Sequence, residues 1–259
     1  MIKNDDILEI LLTASNIIRD YYDKGFEINI KNDSSPVTEV DIKINDFLKN
    51  KLTKLLPKSG WLSEESADNL ERLNKEFVWI VDPIDGTSKL IKKIPEFSIS
   101  VALVRNGIPV ISSIINPITL EYGISNKWDN LIFSNHFNKN NYENDDMSII
   151  VSSSEMSRGN LDIFINDKYP LKKIGSVAYK LLRIAGGKDN IYITLSPKAE
   201  WDICAGIGLV LDSGKSVIRF DKKENIFNQK DLKVSKGFIA GTKKDIENFK
   251  TIFSFLENF

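Results

Sequence analysis

Apolar residues recur at every third or fourth position in two segments near the amino terminus, residues 5–22 and residues 39–56. This spacing places the apolar side chains on one face of a helix, so the sequence predicts two amphipathic helices. Thr38 stands three residues before Asp41, the spacing of a capping box, and is predicted to cap the second helix.

Short apolar runs separated by turn residues follow these helices and predict strands. Phe77–Val81 predicts a buried strand that ends at Asp82. Further strands are predicted at about 98–104, 108–115, 119–125 and 131–134. Later in the chain, strands 148–152, 191–195, 216–220 and 237–241 alternate with helices 176–185, 202–212 and 243–256. The pattern predicts an α+β half joined to an α/β half.

A polar segment marks the predicted boundary between these halves. Residues 137–147 are rich in Asn, Asp and Lys and nearly free of aliphatic side chains. We therefore expect an amino-terminal α+β half at residues 1–136 and a carboxy-terminal α/β half at residues 147–259.

The overall composition narrows the classes of ligand. The 35 basic and 36 acidic side chains give a net charge of −1, so no long-range field attracts nucleic acid polymers or anionic membranes. Cys204 is the single cysteine, so an internal disulfide is excluded, and neither a signal-peptide pattern nor an apolar run of roughly 20 residues is present. These features predict a soluble cytoplasmic protein. The single histidine, His136, is predicted to lie in a surface loop.

Two carboxylates, Asp82 and Asp85, follow the predicted buried strand three residues apart. Gly86 permits a tight turn, and a helix beginning at Thr87 would present backbone N–H groups that bind anions. Carboxylates beside such N–H groups suit a divalent cation and a phosphate that share one site. The alternative is an acidic turn, because Asp, Pro and Gly are common turn formers.

Acidic residues elsewhere in the chain extend this candidate site. Glu64 lies just upstream of the strand, next to Glu65, and Asp202 opens the predicted helix 202–212. Each also has a purely structural interpretation. The adjacent glutamates suit a solvated surface, and Asp202 and Asp41 suit helix caps.

Five segments together resemble the inositol monophosphatase superfamily. In order, they are Ser34–Asp41, Ser63–Ser66, Trp79–Thr87, Gly175–Ser176 and Trp201–Gly206. The resemblance covers nearly the whole chain and implies a layered αβαβα sandwich, as in inositol monophosphatases and fructose-1,6-bisphosphatases. It also implies a Mg²⁺-dependent phosphomonoesterase acting on a small phosphorylated substrate, with two or three ions per site.

The resemblance implies a role for each matched residue. Glu64, Asp82 and the carbonyl of Ile84 would bind one Mg²⁺, and Asp82, Asp85 and Asp202 a second. Glu64 would also position the attacking water, which the Asp41–Thr87 pair would activate. The backbone at Gly86, Thr87 and Ser88 would hold the phosphate. Substrate contacts would come from Gly175, Ser176, Lys180, Lys198 and Glu200.

This assignment agrees with the available chemistry, since hard oxygen ligands suit Mg²⁺ and no histidine is required. A phosphatase with an aspartyl-phosphate intermediate is a rival, but its nucleophile would lie two residues before the second Asp, where this chain has Pro83. The other rival is a binding protein that keeps the fold without the chemistry.

The segment Ser88–Phe97 resembles the CysQ-type 3′(2′),5′-bisphosphate nucleotidases of the superfamily. This favours hydrolysis of 3′-phosphoadenosine 5′-phosphate, with an inositol or sugar phosphate as the alternative. Lys89, Lys92 and Lys93 then either reach a second phosphate or form a solvated loop. Family members often form dimers, so the resemblance also allows a homodimer.

Overall fold

The structure is a computed structural model. It describes residues 2–32, 34–137, 147–159, 161–165, 170–234 and 236–253. Most of the predicted boundary segment, residues 138–146, lies outside these ranges.

The described residues form seven α-helices. In chain order they are α1 (Asn4–Lys24), α2 (Glu39–Leu55), α3 (Thr87–Ile91), α4 (Ser153–Ser157), α5 (Val177–Ala185), α6 (Glu200–Asp212) and α7 (Lys243–Ile252). Two short 3₁₀ helices cover Glu71–Asn74 and Asp162–Phe164.

The strands divide into two large sheets and two small ribbons. In chain order they are β1 (Ile28–Ile30), β2 (Pro36–Thr38), β3 (Gly60–Ser63), β4 (Phe77–Asp85), β5 (Ser98–Arg105), β6 (Ile108–Ile115), β7 (Tyr122–Asn126), β8 (Ile132–Phe133), β9 (Ile149–Ser152), β10 (Leu171–Ile174), β11 (Ile191–Thr194), β12 (Lys198–Ala199), β13 (Ser216–Arg219), β14 (Lys233–Val234) and β15 (Phe238–Gly241).

The first large sheet has the order β3-β4-β5-β6-β7-β8. Its neighbours pair antiparallel except for β3 and β4, which run parallel. The second sheet has the order β10-β9-β11-β15-β13 and mixes parallel with antiparallel pairs. Strand β4 therefore lies inside its sheet, and every residue of it after Phe77 is buried.

Helices and sheets alternate in five layers, as the resemblance implied. Helices α1 and α2 pack on one face of the six-stranded sheet, and α6 packs on β4, β5 and β6. Helix α5 lies beside α6 and also contacts β9, β11 and β15 of the second sheet, whose β11 and β15 contact α7. The α5–α6 layer is thus the core that joins the two sheets.

The two amphipathic helices predicted from the amino-terminal pattern are confirmed as α1 and α2. Helix α1 buries Ile7, Leu11 and Ile18, which recur at the predicted spacing. His136 is exposed in a turn, as predicted. Within the described residues, the helices are too short or too polar to cross a membrane.

Candidate active site

A β-bulge shapes the end of β4. Asp82 pairs with Ser100 of β5 and Asp85 pairs with Ser98, so three steps along β4 match two along β5. The backbone N–H of Ile84 donates to Asp82 Oδ1 at 3.0 Å. Strict alternation would send Asp82 and Asp85 to opposite faces of the sheet, but with the bulge both line one cavity. The predicted end of the strand at Asp82 is therefore wrong.

Gly86 makes the turn from β4 into α3. Its φ of 100° lies in the left-handed region, which glycine adopts at little cost. A Cβ at this position would also lie 3.2 Å from Phe97 Cβ and 3.3 Å from the carbonyl oxygen of Glu96. The turn therefore requires both the conformational freedom and the small size of glycine.

Three carboxylates meet at this end of the sheet. One oxygen each from Glu64, Asp82 and Asp202 lies within 4.8 Å of the others. The parallel register of β3 and β4 pairs Ser63 with Val81, which brings the next residues, Glu64 and Asp82, side by side. Asp202 arrives from α6, where its Oδ2 accepts a hydrogen bond from the N–H of Ala199.

Burial and neighbouring negative charges raise the pKa of two carboxyl groups of this cluster, Asp82 and Asp202. Burial raises the pKa of Asp82 well above its usual value, and the charges of Glu64 and Asp85 raise it further. Burial also raises the pKa of Asp202 well above its usual value, and the charges of Asp85 and Glu64 raise it further. The three carboxylates thus form a group with excess negative charge, and their donors are the hard oxygens that suit a divalent cation. On both grounds the residues fit a bound Mg²⁺.

Asp85 lies beside this group but has other partners. Its Oδ2 accepts a hydrogen bond from Ser176 Oγ and another from the N–H of Ala178, both at 2.6 Å. It is absent from the set of three oxygens within 4.8 Å, although it lines the same cavity. Its role as a second metal ligand stays a prediction.

Asp41 and Thr87 form the hydrogen bond that the resemblance implied. Thr87 Oγ1 donates to Asp41 Oδ1 at 2.9 Å. Asp41 Oδ2 accepts from the N–H of Thr38 at 2.7 Å and from its hydroxyl at 2.6 Å, so the capping box is also confirmed. One buried carboxylate therefore serves as a helix cap and as the partner of Thr87.

Two neighbouring cavities open at the site. The smaller has a volume of about 220 Å³ and is lined by the three clustered carboxylates with Ile84, Asp85, the turn 86–88 and two residues of the β1–β2 region, Ser35 and Pro36. The larger, of about 480 Å³, shares Asp85, Gly86, Ser88 and Asp202 with the smaller one. A ligand whose phosphate lies in the smaller cavity can therefore extend into the larger.

Four of the predicted substrate contacts, Gly175, Ser176, Lys180 and Lys198, line the larger cavity. The ammonium group of Lys180 is buried and donates to the carbonyls of Ile174, Gly175 and Ser176. Burial lowers the pKa of Lys180 to about 8, although Asp85 acts in the opposite direction.

The prediction that Glu200 lies at the substrate cavity is wrong. Its carboxylate accepts hydrogen bonds from the N–H groups of Asn228 and Gln229, at 2.6 and 2.9 Å, and lines a different cavity of about 640 Å³. Two residues along a helix rotate a side chain by about 200°. Glu200 and Asp202 therefore face opposite sides of α6.

Lys31 is a site residue that sequence reasoning missed. Its ammonium donates to Glu64 Oε1 at 2.8 Å and to Glu65 Oε1 at 2.5 Å. Burial alone would lower the pKa of Lys31, but the two glutamates hold it well above its usual value. Lys31 follows β1, whose three exposed residues are too few to establish a periodic pattern, so the sequence contained no signal for this contact.

Comparisons with known proteins show the family of the chain. The model of the inositol monophosphatase family matches residues 6–252. A similar curated relative is the 3′(2′),5′-bisphosphate nucleotidase CysQ of Aggregatibacter actinomycetemcomitans. It is 27% identical over 249 residues, which cover 93% of each chain.

Solved structures share the fold. The crystal structure of CysQ from Bacteroides thetaiotaomicron is 25% identical, with a TM-score of 0.71 over 92% of this chain and 96% of that one. An IMPase/NADP phosphatase in complex with Mg²⁺ and phosphate is 20% identical, with a TM-score of 0.74 over 95% of this chain and 92% of that one. The chain described here therefore belongs to the inositol monophosphatase family and is a phosphatase.

Proposed function

We propose that the chain is a Mg²⁺-dependent 3′(2′),5′-bisphosphate nucleotidase that hydrolyses 3′-phosphoadenosine 5′-phosphate to AMP and phosphate. The proposal rests above all on the meeting of Glu64, Asp82 and Asp202 in one small cavity. Thr87 lines the same cavity, so a hydroxyl held by Asp41 lies beside the cluster.

The groups proposed to hold two or three Mg²⁺ ions share hard oxygen donors. They are the carboxylates of Glu64, Asp82, Asp85 and Asp202 and the carbonyl of Ile84, all of which line the smaller cavity. When bound, Mg²⁺ supplies positive charge that offsets the repulsion of these carboxylates, lowers the pKa of a bound water and stabilises the leaving oxygen. The relative crystallised with Mg²⁺ and phosphate supports this choice of ion.

The Thr87–Asp41 pair is proposed to accept the proton of the attacking water. Because Thr87 Oγ1 donates its proton to Asp41 Oδ1 at 2.9 Å, its lone pairs remain available to a water molecule in the cavity. When Oγ1 takes a proton from that water, its own proton can pass to Oδ1. The two bonds from Thr38 to Asp41 Oδ2 keep the carboxylate in place during this transfer.

The turn into α3 is proposed to bind the phosphate that is removed. The N–H groups of Gly86, Thr87 and Ser88 lie at the start of this helix. At this end of a helix, no carbonyl one turn earlier is available to accept a hydrogen bond from the N–H groups. Such N–H groups favour anions. All three residues line the smaller cavity, next to the proposed metal ligands.

Two observations favour a nucleotide over a smaller substrate. The larger cavity adds about 480 Å³ beside the metal cluster, which is room for a nucleoside. The similarity to proteins named as CysQ nucleotidases, at 27% and 25% identity, points to the same substrate class.

The direct test compares kcat/KM in Mg²⁺ for three substrates: 3′-phosphoadenosine 5′-phosphate, inositol 1-phosphate and fructose 1,6-bisphosphate. We expect the nucleotide to give the highest value. If it gives the lowest, the proposed substrate is wrong.

Asp82→Asn tests the metal site itself. We expect this variant to lose both phosphate release and Mg²⁺ binding, measured by calorimetry, because Asp82 is the buried member of the carboxylate cluster. Glu247→Gln, which neutralises an exposed acid on α7, is the matched control. Mg²⁺ binding that is unchanged in Asp82→Asn would show that the metal site is misassigned.

A further inference from the structure

We propose that Lys92 recognises the second phosphate of the substrate, the one that is not cleaved, and so determines the preference for bisphosphates. This inference rests on the proposed function. It assigns one of three neighbouring lysines, Lys89, Lys92 and Lys93, whose roles the sequence left open.

The charges on the wall of the larger cavity single out Lys92. Four lysines line it, at positions 89, 92, 180 and 198. Lys89 pairs with Glu96 at 2.6 Å and Lys198 pairs with Glu155 at 2.8 Å. The ammonium of Lys180 is taken up by three backbone carbonyls. Lys92 has no ion pair with any residue that the structure describes, and its side chain is exposed.

The acidic residues do not offset this charge. The carboxylates on the cavity wall are Asp85 and Asp202, which belong to the proposed metal site. The partners of the other lysines, Glu96 and Glu155, are not part of the wall. Once cations neutralise the metal site, the larger cavity is positive, and Lys92 is the cation free to pair with a ligand.

The length of α3 sets the separation between Lys92 and the proposed cleavage site. It directly follows α3, whose first residue, Thr87, lies in the smaller cavity. Five residues of helix span about 7.5 Å. The phosphates on the 3′ and 5′ positions of one ribose are separated by a distance of the same order. A nucleotide with its 3′-phosphate at Thr87 can therefore present its 5′-phosphate to Lys92.

Serines at and near α4 supply neutral donors for the same group. Ser152, Ser153, Ser154 and Ser157, in and beside α4, line the larger cavity. Hydroxyls can hydrogen-bond the oxygens of a phosphate, but they supply no charge. The charge selectivity of the cavity should therefore depend on Lys92.

The adjacent Lys93 provides a matched control. Its ammonium lies over the ring of Tyr22, 5.6 Å from the centroid, and it does not line the larger cavity. Both lysines are exposed, so replacing either one should leave the fold intact. Lys92→Met and Lys93→Met remove the same charge from neighbouring positions that face different surroundings.

The experiment measures kcat/KM for 3′-phosphoadenosine 5′-phosphate and for adenosine 3′-phosphate, which lacks the 5′-phosphate. We expect Lys92→Met to lower the value for the bisphosphate about tenfold, mainly through KM, because a charge-assisted hydrogen bond is lost. The value for the monophosphate should change less than about twofold, since the cleavage site is untouched. Lys93→Met should change neither, and Lys92→Arg should retain most of the preference for the bisphosphate.

Three results would overturn the inference: an equal loss for both substrates in Lys92→Met, an equal effect of Lys93→Met, or a wild-type protein without any preference for the bisphosphate. The proposed function fails in a different way, if the wild-type protein hydrolyses inositol 1-phosphate better than either nucleotide. A 5′-phosphate preference that Lys92→Met removes would then still support the role of Lys92.

Discussion

Glu155 is a fully buried carboxylate whose hydrogen bonds come from Lys198 Nζ at 2.8 Å, Thr194 Oγ1 at 2.5 Å and the N–H of Leu195 at 3.0 Å. Lys198→Met would leave this charge buried without its cation. Because an unpaired buried charge is costly, we expect a loss of about 3 kcal/mol in the free energy of unfolding, measured by urea denaturation. The double variant Lys198→Met/Glu155→Gln should recover part of it, and a loss below about 1 kcal/mol in the single variant would contradict this account.

The same carboxylate gives a pH dependence with a defined sign. Burial would raise the pKa of Glu155. The charge and hydrogen bond of Lys198, together with the hydrogen bonds from Thr194 and Leu195, instead hold this pKa below 4.5, the usual value of a glutamate side chain. Its contribution is therefore complete above pH 4.5 and is lost as the pH falls further. We expect the stability difference between the wild-type protein and Glu155→Gln to shrink from pH 6 towards pH 3 in urea titrations. A difference that grows on acidification would show that the sign is wrong.

Thr87 allows a test of catalysis at a single atom. Thr87→Val keeps the shape of the side chain but removes the hydroxyl that donates to Asp41 Oδ1. If this hydroxyl accepts the proton of the attacking water, kcat should fall by about 100-fold. Thr87→Ser should retain most of the activity. A Thr87→Val variant with wild-type kcat would exclude the pair from proton transfer.

Among the elements, α5 and α6 pack closely against each other at Gly206. A Cβ on Gly206 would lie 2.4 Å from Leu181 Cδ1 and 2.5 Å from Leu181 Cβ, so the helices would have to separate. We expect Gly206→Ala to lower the free energy of unfolding by about 2 kcal/mol, despite the better helix propensity of alanine. Leu211→Ala, at an exposed position of the same helix, is the control and should cost much less. Equal losses in the two variants would contradict the packing argument.

Long elements could be predicted from the sequence and several short ones could not. Helices α1 and α2 present a repeating apolar face over 21 and 17 residues, which is a strong local signal. Strand β1 is three residues long and exposed throughout, and β12 and β14 have two residues each, so an alternating pattern cannot develop. The pairing of β12 with β14 also joins residues distant in sequence, which the local pattern does not contain.

On the scale of the whole molecule, some contacts of the candidate site could be predicted from the sequence and others could not. The contact of Asp41 with Thr38 follows from a three-residue spacing and could be predicted locally, whereas its contact with Thr87 was implied by the resemblance. The position of Glu64 beside Asp82 depends on a parallel strand register, and the resemblance, not the spacing, implied it. The pairing of Lys31 with Glu64 was missed, and Glu200 was placed on the wrong side of α6, because both depend on tertiary packing.

Asp202 completes the carboxylate cluster from a distant position in the sequence, since α6 packs on the first sheet and carries Asp202 to Glu64 and Asp82. Without metal, three carboxylates repel one another there, so Asp202→Asn should unfold at a higher temperature than the wild-type protein in chelator. With Mg²⁺ at about 100 times its Kd, the wild-type protein should gain about 2.7 kcal/mol and the variant much less. Calorimetric scans with and without Mg²⁺ measure both effects, with the exposed Glu247→Gln as control. An equal Mg²⁺-induced rise in Tm for Asp202→Asn and the wild-type protein would show that Asp202 does not bind the ion, and the metal site would then be confined to residues of the first half of the chain.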